Sequence, residues 1–259
     1  MRTKEVIKHI QNWIIQYNKE SKTKGFVIGI SGGIDSALTS TLIAKTKLPL
    51  ICFEMPIHQN KKEILRGKKH ISWLKQKYNN VSSIEFDLTN VFDNFKNQTS
   101  NDHDNSLALA NTRSRLRMTS LYYFAQINNY LVAGTGNKVE DFGIGFFTKY
   151  GDGGVDLSPI ADLLKTEVYL LSKELNIIND ILIAPPTDGL WEEERTDEDQ
   201  IGASYKELEW AMNLDNLDNL DKKLSEREQE VLEIYTKLNR INKHKTLPIP
   251  VCKIPENLK

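Results

Sequence analysis

Cysteine is nearly absent. Cys52 and Cys252 are the only two in 259 residues, so no disulfide framework, C-x-x-C or zinc spacing is available. Cys52 lies inside an apolar run and reads as a buried structural thiol. A charge excess is missing too: 34 Lys and Arg against 35 Asp and Glu give a formal net charge of −1 and no general attraction to nucleic acid. No apolar run approaches a membrane span, and the charged, amphipathic start of the chain lacks the core of a signal peptide. The expectation is a cytoplasmic protein with neither membrane nor nucleic-acid partner, folded as one domain over 1–259. Two nucleotide signatures are also absent, G-x-x-x-x-G-K-[ST] and G-x-G-x-x-G, and no repeat of 20–50 residues exists.

What stands in their place is Gly29-Ile30-Ser31-Gly32-Gly33-Ile34-Asp35-Ser36. The apolar run from Phe26 to Ile30 reads as a buried parallel strand, and a helical pattern opens at Asp35 with Ala37, Leu38, Leu42 and Ile43 on one face. Strand, glycine turn and helix start together form an anion site. Two glycines admit positive φ and close approach of backbone N–H groups, and the helix start adds unpaired N–H groups and a partial positive charge. Ser31 and Ser36 supply hydroxyl donors, and Asp35 supplies a hard oxygen for Mg²⁺. The loop reads as a phosphate site.

The rest of the chain fits around it. Residues 4–18 form an amphipathic packing helix. A strand at 50–55, a helix over about 61–78 and a strand around 84–88 complete a βαβαβ order. That order predicts an α/β fold: a doubly wound, mainly parallel five-stranded sheet flanked by helices, with its ligand crevice at the carboxyl ends of the strands. The polar stretch 96–106 reads as an exposed loop, and His103 within it has no companion at metal spacing. A helix over about 107–128 carries Arg113, Arg115 and Arg117, which point in different directions. Arg115, flanked by Leu116 and Met118, can reach a cleft and clamp phosphate or carboxylate. A strand at 130–134 ends at Thr135, a nucleotide donor, with Glu140 as a second carboxylate toward Mg²⁺. The glycine-rich run 151–156, led by two Phe, a Lys and a Tyr, reads as a substrate loop. Lys165 in the first turn of a helix at 164–175 opposes the macrodipole, so a phosphate ligand explains it better than stability does. Further helices are expected near 197–212, opened by a capping box at Thr196, and after Ser225. The 213–223 connector carries no assigned chemistry, and His244-Lys245 complements the end of the last helix.

The loop at 31–36 resembles the S-G-G-x-D-S motif of the N-type ATP pyrophosphatases, which share an adenine nucleotide α-hydrolase-like fold and cleave ATP between the α and β phosphates. Taken with Asn111 through Met118, Gly134-Thr135, Glu140, Phe147 through Asp152, Asp156, Lys165, Pro186-Thr187 and His244-Lys245, the chain resembles the ammonia-dependent NAD⁺ synthetases of that superfamily. The resemblance implies a ligase that adenylates deamido-NAD⁺ with MgATP and lets ammonia displace AMP, the last step of NAD biosynthesis. It assigns ATP to Gly29, Ile30, Ser31, Gly32, Gly33, Ile34, Asp35, Ser36, Thr135, Lys165 and Thr187, and Mg²⁺ to Asp35 and Glu140. Deamido-NAD⁺ falls to Arg115, Lys149, Asp156, His244 and Lys245. Asp35 and Lys165 are then catalytic, and Asp152 is the candidate to accept a proton from ammonium. The family's homodimeric state is expected here. Because no amidase stretch precedes the first helix, free ammonia is the expected donor. Two other readings share the first loop: another adenylating enzyme, such as a tRNA-modifying or GMP-forming one, and a nucleotide-binding module without turnover.

Overall fold

Alternate residues of the central strands face opposite sides of one sheet. On β1 (Phe26–Gly29), Phe26 and Ile28 enter one core while Val27 enters the other; on β2 (Leu50–Glu54), Leu50 and Cys52 oppose Phe53 in the same way. Both faces are covered, so the strands are apolar throughout and do not alternate with polar residues. The structure, a computed structural model, describes residues 1–99, 105–187, 196–215 and 224–259. His103, positions 188–191 and most of the 213–223 connector lie outside the described residues.

The sheet is parallel, in the order β3-β2-β1-β4, with β3 at Val81–Glu85 and β4 at Leu131–Val132. Among the described residues it has four strands and not the expected five. Where another would pair, beyond β4, the described residues form only the Ala133–Leu157 bridge. Glycines at 151, 153 and 154 precede that bridge and Pro159 follows it, leaving too little chain for a ladder. The third strand begins earlier than expected, because Leu50 pairs with Val81, and it is followed by an unanticipated helix, α4 (Thr89–Asn97), begun where Asp87 accepts the Thr89 N–H at 2.8 Å.

One face of the sheet carries α1 (Thr3–Glu20), α2 (Ile34–Ala44) and α6 (Lys165–Glu174); the other carries α5 (Ser106–Asn128), while α3 (Lys61–Lys77) packs on β2 and β3. Within α1, Ile7, Ile10 and Ile14 are buried as the periodicity predicts, whereas Trp13 is exposed and stacks on Tyr17. After the short α7 (Asn179–Leu182), the helix expected over 197–212 is two: α8 (Asp197–Ile201) stops at Gly202, whose φ is +84°, and α9 (Tyr205–Asp215) restarts. With α10 (Glu226–Asn242), opened by the Ser225–Glu228 capping box, these helices build a second core on a π-helical turn at Val139–Ile144. Among the described residues no helix is long and apolar enough to cross a membrane.

Candidate active site

Connections leave β1 toward β2 on one side, and the chain later returns to β4 on the other, so the carboxyl ends of β1 and β4 flank the topological switch point. A cavity opens there. The 29–36 loop apart from Gly32 lines it, joined by Thr135, Gly136 and Glu140 after β4, Ser114 and Arg117 of α5, Asp152, Lys165 and 185–187. Phe53, Met55 and Leu121 give it an apolar floor.

The phosphate loop is shaped by its own serines. Ser31 N–H donates to Ser36 Oγ at 3.3 Å, Gly33 N–H donates to Ser31 Oγ at 3.1 Å, and Ser36 Oγ donates to Gly33 O at 3.0 Å. Gly32 has a φ of +85°, and a Cβ there would sit 2.4 Å from the Glu63 carbonyl of α3. The first amides of α2, from Ile34 onward, have no acceptor within the helix, which begins directly after the loop that leaves β1.

Lys165 is 3% exposed, and its Nζ lies 2.6 Å from Asp35 Oδ2 and 2.8 Å from Glu140 Oε1. A cation at the start of α6 is thus accounted for by two carboxylates, one from each side of the switch point. Burial works against the ammonium, but Asp35 and Glu140 outweigh it and hold Lys165 above its ordinary pKa. The carboxylates diverge. Burial, joined by the charge of Glu140, raises Asp35 by more than Lys165 and Asn137 lower it, whereas for Glu140 the opposing effect of burial is overcome by Lys165 and by hydrogen bonds from Tyr205 and Asn137. Glu140 is therefore the firmly ionised member. Next to it, burial and then the charges of Glu140, Asp152 and Asp35 push Asp141 up to about 8.

Among the described residues that line the cavity, acidic side chains outnumber cations: Asp35, Glu140, Asp141, Asp152 and Asp197 against Arg117 and Lys165. A cavity with a phosphate loop and this acidic balance suits an anion that brings its own divalent cation. Among the described residues no three His, Cys, Asp or Glu side chains form a ready metal cage. Mg²⁺ needs none, since it takes one or two carboxylates and completes its shell with phosphate oxygens and water. Asp35 and Glu140 are the hard oxygens that fit.

The structure brings Thr135, Asp152 and Thr187 to the same cavity. Asp152 is latched: Ser114 Oγ donates to its Oδ1 at 2.6 Å and accepts its N–H at 2.8 Å, while Thr148 N–H donates to Oδ1 at 3.0 Å. Thr187 Oγ1 donates to Glu63 Oε1 at 2.7 Å, and Gln59 donates to the other Glu63 oxygen at 3.0 Å. Arg115, Lys149, His244 and Lys245 form a separate group outside the lining. The Arg115 guanidinium donates to Lys149 O at 3.3 Å, Lys149 Nζ to His244 O at 2.6 Å, and Lys245 Nζ to Gly145 O and Phe147 O, each at 2.7 Å. Burial lowers the Lys245 pKa.

Asp156 is not brought to the cavity. Its Oδ2 accepts the Val132 N–H at 2.8 Å and its Oδ1 the Tyr122 hydroxyl at 3.0 Å, so the carboxylate completes the edge of β4. Sequence reasoning gave no role to Asn137, Tyr205, Ser114 or Glu63. Asn137 is fully buried; its Nδ2 donates to Asp35 Oδ1 at 3.1 Å and its Oδ1 accepts from Val139 and Glu140 N–H groups. Its place just beyond a strand end was a signal; Tyr205, on a distant helix, offered none.

The family profile described as NAD synthase matches residues 6–248. The NH(3)-dependent NAD(+) synthetase of Carboxydothermus hydrogenoformans is 38% identical over 211 residues, covering 79% of this chain and 83% of that protein. The NH(3)-dependent NAD(+) synthetase of Malacoplasma penetrans is 37% identical over 257 residues, 98% of each chain. Among solved structures, the NMN synthetase of Francisella tularensis superposes with a TM-score of 0.84 at 30% identity, covering 99% of both chains.

Proposed function

The chain belongs to the NAD synthase family, and from that premise we propose that its switch-point cavity carries out ATP-dependent amidation of deamido-NAD⁺ with ammonia. The observation that carries this reading is the Asp35–Lys165–Glu140 bridge beside a phosphate loop, which sets a buried cation and two hard carboxylates where a polyphosphate would lie. In the first half-reaction a nicotinate carboxylate oxygen attacks the α-phosphorus, and the bond to the β-phosphate oxygen breaks to release pyrophosphate. Ammonia then attacks the acyl carbon, AMP departs with the acyl oxygen, and one proton is lost from nitrogen.

The chain's own groups do mostly electrostatic work. Both reacting partners are anions, so the loop amides, Ser31, Ser36 and Lys165 offset their repulsion. Thr135 and Thr187 position the nucleotide. Mg²⁺, held by Asp35 and Glu140, supplies charge neutralisation of the phosphates when bound. Asp152, fixed by Ser114 and Thr148, is the proposed acceptor of the ammonium proton. Arg115, Lys149, Asp156, His244 and Lys245 are proposed to meet the far end of deamido-NAD⁺, with the Asp156 carboxylate oriented by the Val132 N–H and the Tyr122 hydroxyl at the β4 edge. The relatives' own names support free ammonia as donor. A homodimer is part of the reading, supported by the exposed apolar side chains of Val91 and Phe95 on α4 and Leu107, Tyr123 and Ile127 on α5. We take 1–259 as one synthetase domain.

A second reading has specific support. The Francisella relative is an NMN synthetase, and the Arg115–Lys149–His244–Lys245 group that would serve the second nucleotide lies outside the cavity lining. An enzyme of that kind uses nicotinate mononucleotide in place of deamido-NAD⁺. One assay separates the readings: pyrophosphate release from MgATP and ammonium, with deamido-NAD⁺, with nicotinate mononucleotide, or with neither. Release that requires deamido-NAD⁺, with NAD⁺ formed from ammonium but not from glutamine alone, is the expected result. Preference for the mononucleotide selects the second reading. Stimulation by neither acid defeats both and leaves another adenylating enzyme, or a binding module if ATP stays intact.

A further inference from the structure

Tyr205 opens α9, in the second core, yet its hydroxyl reaches the nucleotide cavity. It donates to Glu140 Oε1 at 2.5 Å and lies 3.1 Å from Asp197 Oδ2. The residue is 5% exposed and shares its core with Val139, Ile144 and Leu208, while Lys165 Nζ stands 4.7 Å from the ring centroid. Its backbone is fixed as well, since Tyr205 N–H donates to Glu198 Oε1 at 2.9 Å. Nearby, Glu209 of the same helix accepts from both the N–H and the hydroxyl of Thr166, at 2.9 Å and 2.8 Å, which ties α9 to the start of α6.

A phenol has one proton, and the geometry directs it to Glu140, the nearer carboxylate. Lys165 and Tyr205 both donate to Oε1, and Asn137 also hydrogen-bonds the carboxylate. Donors from separate elements fix its rotation where Glu140 lines the cavity. Carboxylates that ligate metals are oriented in this way by outer partners. We propose that Tyr205 is a positioning residue for the divalent cation that accompanies ATP, acting through Glu140. This rests on the reading of Asp35 and Glu140 as the Mg²⁺ carboxylates.

The test is Tyr205→Phe, which keeps the ring and its packing and deletes only the donor. Mn²⁺ binding in the presence of ADP is followed by the loss of the free-ion EPR signal, and melting is followed in parallel. The expected result is a 10- to 100-fold weaker Mn²⁺ affinity, with ADP binding in EDTA unchanged and turnover recovering as Mg²⁺ is raised. In a Glu140→Gln background the same exchange should alter Mn²⁺ affinity by less than about twofold, because the route through Glu140 is already cut. A Phe variant that binds Mn²⁺ normally overturns the proposal alone. So does a full-size loss in the Glu140→Gln background. No ADP-dependent Mn²⁺ binding by the unaltered protein removes the metal reading and this proposal with it.

Discussion

Asn137 donates to Asp35 across the crevice between β4 and β1, at 3.1 Å, while its carbonyl oxygen holds the Val139 and Glu140 amides. One neutral side chain thereby positions both carboxylates of the candidate site. Truncation to Ala leaves two amides with no partner, one of them on fully buried Val139, and we expect a loss of roughly 2–3 kcal/mol. The urea midpoint should fall at an unchanged m-value, and nucleotide affinity should fall with it. A midpoint like that of the unaltered protein would show that water replaces the amide at no cost.

Replacing Lys165 by Met should cost about 3–5 kcal/mol in metal-free protein, because two buried carboxylates lose their cation. Pyrophosphate release should disappear. Added Mg²⁺ should raise the melting temperature of this variant more than that of the unaltered protein. Equal responses to Mg²⁺ would place the cation away from Asp35 and Glu140.

Gly32 and Gly33 should respond differently to alanine. At Gly32 the φ of +85° is left-handed and a Cβ would meet the Glu63 carbonyl at 2.4 Å, an α3 backbone atom that cannot yield. The expected cost exceeds about 1 kcal/mol from the backbone alone, with loss of ATP binding by calorimetry. At Gly33, φ is −91° and the nearest atom is Ser31 Oγ at 3.3 Å, so Gly33→Ala should fold normally and bind ATP with only modest weakening.

His70 is fully buried between Ser40, whose Oγ lies 2.9 Å from Nε2, and the Trp73 ring; burial lowers its pKa to about 3. From about pH 6.5 downward the unfolded chain takes up a proton that the folded chain refuses. Stability from this group is therefore complete above 6.5 and falls with pH, by about 2 kcal/mol at pH 5. Asp141 has the opposite sign: with its folded pKa near 8, the folded chain keeps a proton that the unfolded chain releases, so stability falls as pH rises toward 8. Urea titrations at pH 5, 6 and 7 should show that His70→Gln loses the acid-side slope relative to the unaltered protein, and that Asp141→Asn loses the descending one. Parallel curves for all three would refute both assignments.

Local features of the fold were readable because local chemistry fixes them. The β1–loop–α2 unit follows from an apolar run, two glycines and a helix start within nineteen residues, 26–44. The capping boxes at Thr196 and Ser225 are four-residue patterns and formed as expected. Features set by distant partners were not readable. Tyr205 meets Glu140 from 65 residues away, and no window of sequence contains that pair. Lys165 could be recognised as out of place at a helix start, but its carboxylate partners come from 130 and 25 residues away. The partners of Asp156 were hidden for a similar reason: the Val132 N–H and the Tyr122 hydroxyl that it accepts from lie 24 and 34 residues away.

The strand order also sets when the site comes into being. Phe26 pairs with Leu131, so joining β4 to β1 closes a loop of about a hundred residues, entropically the most demanding contact in the sheet. A nascent chain that has not reached β4 holds the phosphate loop but lacks the opposite wall with Asn137, Glu140 and Lys165. Catalytic competence is thus a late product of biosynthesis. In a refolding experiment, recovered turnover would time the docking of the last strand, after the compact βαβαβ half has already formed.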